Sequence, residues 1–103
     1  MVIKNAQQLF ERMPSEANSA EKQITRALPK MARAADNEQL VEAFQHHLEE
    51  TQGQLERIEQ AADSIPDIRV KRIKCYAMES IIQEGEDLID ATEKGPVRDA
   101  GLI

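Results

Sequence analysis

The stretch Ala35-Asp36-Asn37-Glu38-Gln39-Leu40 decides the fold, because it holds three capping residues between two long helical patterns. Before it, over residues 5–35, the apolar residues Leu9, Met13, Ala17, Ala20, Ile24, Leu28 and Met31 recur at steps of three and four. That spacing draws one continuous stripe along a long helix. After it, over residues 37–62, Leu40, Ala43, Phe44, His47, Leu48, Thr51, Leu55, Ile58 and Ala62 mark the inward side of a second helix. A connection this short makes the two helices antiparallel neighbours, so the chain opens with a helical hairpin.

Pro14 and Pro29 stand inside the first pattern, where proline removes a hydrogen bond and crowds the carbonyl four residues back. Pro14 predicts a short initial helix or a kink, and Pro29 predicts a bend. The run Ser64-Ile65-Pro66-Asp67 ends the second helix and starts a connector. A third helix is expected from about Lys71 or Lys74 to Thr92, with Cys75, Met78, Ile81, Ile82, Gly85, Leu88 and Ile89 at helical spacing. Lys94-Gly95-Pro96 terminates it, and residues 97–103 read as the first two turns of a further helix.

Composition agrees with an all-α reading. Gly and Pro number four each, Val is scarce, and Ala, Glu, Gln, Lys, Arg and Leu dominate, so no sheet is expected. The 103 residues form one small domain. A chain of this size buries only about 60–65% of its unfolded surface, which makes a partner subunit attractive. Thirteen basic against nineteen acidic residues give a net charge of −6, which argues against nucleic acid as a partner, since binding it requires clustered phosphate-neutralising cations. No apolar run is long enough for a membrane span, and the lone Cys75 closes no internal disulfide. With no secretory leader at the start, the expected location is the cytoplasm.

Polar residues at inward positions carry the functional signal, because burying them is costly unless they are paired or bind a metal. Glu21 sits at the edge of the first stripe beside Ala17 and Ala20. His47, Glu50 and Gln54 share one face of the second helix. In an antiparallel hairpin turning at Asp36, Glu21 and Glu50 fall at a similar level. Glu21, His47, Glu50 and Gln54 are thus a candidate metal site for iron or manganese, the ions held by carboxylates and imidazoles inside helical bundles. The strict Glu-x-x-His motif is missing, since Gly53 follows Glu50 by three residues and Gln52 follows Glu49. His46 is expected to face solvent, and Cys75 to be a packed thiol. Arg69, Lys71, Arg72 and Lys74 form one basic cluster, which either touches an anion or balances the acidic helices.

Three runs together extend this reading. Ser19-Ala20-Glu21-Lys22-Gln23-Ile24-Thr25-Arg26-Ala27-Leu28, then His47-Leu48-Glu49-Glu50-Thr51 continuing Gly53-Gln54-Leu55-Glu56-Arg57-Ile58, then Lys74-Cys75-x-Ala77-Met78-Glu79 resemble the YciE/YciF family of ferritin-like bacterial stress proteins. The resemblance extends from about Ala6 to the last residue. It implies a ferritin-like four-helix bundle, a homodimer and a metal-binding role in general stress response, and it supplies no demonstrated reaction. Carried over, the family's first-helix glutamate falls on Glu21, and its second-helix glutamates fall on Glu49 and Glu50, with His47 preceding.

Two departures matter. Gln52 stands where the family carries a histidine, and this chain stops where members continue through two more long helices bearing further ligands. Half of a two-metal site is therefore missing, and two outcomes are expected. A complete product pairs with a second copy and brings two Glu21 and two Glu50 together. A fragment leaves its inward stripes uncovered, and these associate. The leading reading is a stress-associated metal-binding protein; the alternative is a metal-free helical assembly module. A di-iron oxidase ranks last, because it needs more ligands than one chain provides.

Overall fold

The computed structural model describes residues 2–103, and its regular elements are four helices: α1 (Ala6–Ala34), α2 (Glu38–Asp63), α3 (Tyr76–Ala91) and α4 (Pro96–Leu102). Each partner of the hairpin has a side-chain cap. Asn5 Oδ1 accepts from the Gln8 N–H at 2.8 Å, and Asn37 Oδ1 accepts from Gln39 and Leu40 at 2.9 and 3.2 Å. These caps satisfy backbone donors that have no partner within the helix.

The expected interruption of the first helix does not occur: α1 is one helix that contains both Pro14 and Pro29. The prolines forgo the bonds to the carbonyls of Phe10 and Thr25. Packing on α2 and α3 holds the helix continuous, as tertiary contact commonly outweighs local propensity.

The connector explains the shape of everything after α2. Residues 68–75 are irregular and run alongside α1 in the same direction, tied to it at successive positions and tightened where the Ile73 N–H donates to the Lys71 carbonyl at 3.1 Å. The Gln7 side chain donates to the Asp67 carbonyl at 3.0 Å. Ser15 Oγ donates to the Glu11 carbonyl at 2.6 Å and accepts the Lys71 N–H at 2.9 Å. Ser19 Oγ accepts the Cys75 N–H at 2.9 Å, and Gln23 donates to the Cys75 carbonyl at 3.1 Å. Glu11, only 6% exposed, also reaches Lys71 Nζ at 3.7 Å. Because α1 claims these backbone groups, the third helix begins at Tyr76 and not at Lys71 or Lys74. Cys75 accordingly precedes α3 as its N-cap, half-buried, and does not lie in the helical stripe.

At the other end α4 clamps the hairpin turn. The Asp99 carboxylate accepts the N–H groups of Asp36 and Asn37 at 2.8 and 3.0 Å. Arg98 donates to the carbonyls of Ile89, Thr92 and Ala34 and to the Thr92 hydroxyl, joining the ends of α3 and α1. Ala34, Ala35 and Leu102 form the buried core there, surrounded by Met31, Phe44, Leu88 and Ile89.

The first apolar stripe is consequently covered over only half its length. Ala27 and Leu28 are buried, whereas Leu9, Phe10 and Met13 are 51%, 50% and 66% exposed. The molecule measures 49 × 25 × 15 Å, with a radius of gyration of 16.4 Å; a compact domain of this length has about 13 Å. Its accessible surface, 7259 Å², exceeds by roughly 1,400 Å² the value of about 5,800 Å² expected for a folded monomer of this mass.

Ser15→Ala leaves the Lys71 N–H without its acceptor and is expected to lower unfolding stability by about 1–3 kcal/mol in urea titration. Asp99→Ala uncaps the turn and is expected to cost about 1–2 kcal/mol in the same assay.

Candidate functional site

Halfway along the hairpin, Thr51 is fully buried; its hydroxyl donates to the His47 carbonyl at 2.7 Å and lies 3.5 Å from His47 Nδ1. Counting outward from the turn at Asp36, Glu21 occupies almost the same level on α1. Glu21 is half-buried, and its Oε2 atom is buried with no hydrogen-bond partner among the described residues. A carboxylate oxygen without water or a donor is costly to bury, and a cation offers it a partner.

The other expected ligands are disposed differently. Glu50 turns to His46, with Nε2 and Oε1 3.0 Å apart and side chains 71% and 54% exposed. His46 faces solvent as expected, and the expected grouping of Glu50 with His47 is replaced by a surface pair of Glu50 with His46 one helical turn long. Such a pair forms readily, because residues four apart on a helix are direct neighbours. His47 stands at the edge of an apolar groove of about 200 Å³, whose walls include Ile24 and Leu28 of α1, Phe44 of α2, and Met78, Ile82 and Ile89 of α3. Gln54 is half-buried, one turn below Glu50. Among the described residues, no three His, Cys, Asp or Glu side chains converge into a cation cage. The chain brings its candidate ligands to the hairpin without closing them around a point.

The residues that sequence reasoning passed over are Glu11, Ser15 and Asn18, which are 6%, 1% and 6% exposed. They lie off the apolar stripe. Their signal was a second, polar stripe on α1 with small hydroxyls four apart at Ser15 and Ser19, suited to satisfying a non-helical backbone. Within the basic cluster, Lys74 Nζ lies 2.8 Å from Glu79 and 5.8 Å from the centre of the Tyr76 ring. The hydrogen bond to Glu79 and the charge of that carboxylate hold the Lys74 ammonium above the ordinary lysine range.

A capped hairpin of long helices, strapped by an irregular connector and crossed by a shorter helix, defines the class, and comparison with known proteins identifies it. The chain belongs to the family described as a domain of unknown function, DUF892, whose model matches residues 5–103. It is 52% identical over all 103 residues to protein YciF of Escherichia coli K12, covering 62% of that protein. The crystal structure of the E. coli stress protein YciF superposes with a TM-score of 0.92 at 51% identity, over 97% of this chain and 63% of the other. YcfI of Rhodopseudomonas palustris superposes with a TM-score of 0.90 at 32% identity and similar coverage. The chain thus spans somewhat less than two thirds of the length of these relatives.

Two substitutions separate the roles of the carboxylates. Glu21→Met, which replaces the partnerless oxygen with an apolar group of similar size, is expected to raise metal-free stability by about 1–2 kcal/mol. His46→Ala removes an exposed pair and is expected to change stability by no more than about 0.5 kcal/mol, both read by thermal or urea unfolding.

Proposed function

We propose that this chain is a ferritin-like stress protein whose hairpin supplies one side of a carboxylate site for iron or manganese, completed by a second copy of the chain. The observation that carries this reading is the buried, unpartnered Oε2 of Glu21 at mid-hairpin. Glu21 and Glu50 act as ligands, Glu50 by exchanging His46 for the ion. His47 lies beside them, with Thr51 fixing its turn of helix, and Gln54 offers a neutral amide oxygen one turn on. A bound iron or manganese ion would supply Lewis acidity and, for iron, redox chemistry.

Two further points support the reading. The E. coli relative is described as a stress protein. The excess accessible surface of roughly 1,400 Å² is of the size that one partner contributes to a stable interface, about 800 Å² or more per side.

A second reading, a metal-free assembly module, is favoured by the Glu50–His46 pair, which occupies one proposed ligand. It also matches the R. palustris relative, described only as a candidate structural protein.

Native mass spectrometry distinguishes the two. Protein purified without chelator and loaded with iron(II) or manganese(II) is expected to run as a dimer with stoichiometric metal, and Glu21→Gln and Glu50→Gln are each expected to abolish that uptake. A dimer that stays metal-free after loading selects the assembly module, and a metal-free monomer overturns both.

A further inference from the structure

A trough separate from the hairpin face lies between α1 and the connector. Its volume is about 690 Å³, and its walls carry Lys22 and Arg26 from α1 and Lys71, Arg72 and Lys74 from the connector. Five of the thirteen basic residues of an acidic chain therefore surround one concavity. Two of the five are already engaged, Lys71 with Glu11 and Lys74 with Glu79. Lys22, Arg26 and Arg72 have no ion-pair partner among the described residues. The floor is polar: Asn18, Ser19 and Gln23 line it. Asn18 is 6% exposed and lines the trough beside Ser19 and Gln23.

Two guanidinium groups and an ammonium on the walls of one concavity match oxyanions, since arginine presents a planar fork to phosphate oxygens. The Lys71 and Cys75 N–H groups tie the connector to Ser15 and Ser19, so the two walls of the trough are joined before any ligand arrives. The trough also contains the carboxylates of Glu59 and Glu79, and the whole chain carries −6. Those charges oppose a long polyanion running across the surface and leave room for a compact one. We infer that this trough binds a compact polyphosphate group, held by Lys22, Arg26 and Arg72.

Isothermal titration calorimetry with inorganic orthophosphate, pyrophosphate, tripolyphosphate and sulfate, at about 150 mM salt, tests it. One pyrophosphate or tripolyphosphate per chain is expected, at least about tenfold tighter than orthophosphate or sulfate, because a second phosphate reaches the second arginine. Arg26→Gln and Arg72→Gln are each expected to weaken binding about tenfold, while Arg33→Gln, outside the trough, leaves it unchanged. Glu59→Gln removes a repelling charge and is expected to tighten binding several-fold, a gain that misfolding does not imitate. Absence of binding overturns the inference. So does equal weakening by Arg33→Gln, which marks diffuse attraction, and so does a single-stranded oligonucleotide that outcompetes tripolyphosphate and spans several chains.

Discussion

A non-helical backbone cannot lie against a helix without partners for its N–H and C=O groups, and this requirement organises the molecule. Residues 68–75 make no sheet, and α1 meets the Lys71 and Cys75 N–H groups through Ser15 and Ser19 and the Cys75 carbonyl through Gln23. That choice gives α1 two faces with different duties, a polar one under the connector and an apolar one elsewhere. It also delays α3 until Tyr76, which places α3 over the C-terminal half of α1 and leaves Leu9, Phe10 and Met13 open. The elongated form and the exposure of Leu9, Phe10 and Met13 both follow from this one strap.

The hairpin was legible because its signals are local: two long stripes of period near 3.6 and a turn bearing Asn37 as cap. The bounds of α2 and α4 fall within a residue of expectation for the same reason. What could not be read depended on contacts distant in sequence. The non-helical path of Lys71 to Cys75 is set by serines some fifty-six positions earlier, and an isolated reading of that segment, with good helix formers and no glycine, favours helix. The prolines misled in the opposite direction, since their local penalty was visible and the packing that offsets it was not. Of the candidate site, the level of Glu21 and Glu50 followed from counting along an antiparallel pair, but the capture of Glu50 by His46 is a rotamer choice that spacing leaves open.

The two carboxylates at mid-hairpin are in contrasting states. Glu50 has solved its electrostatics at the surface with an exposed imidazole, a weak and easily exchanged arrangement. Glu21 has not, since one of its oxygens is enclosed and partnerless.

The clamp of Asp99 on the Asp36–Asn37 turn has a consequence for how the molecule comes into being. On a chain synthesised from its N-terminus, both long helices are finished well before the residue that secures their junction exists. In that interval the junction carries two free amide donors, and Arg98 has yet to join the ends of α3 and α1. The nascent hairpin is therefore free to open and reclose until residues 98 and 99 emerge. The short helix α4, seven residues long, acts as the latch that ends this interval.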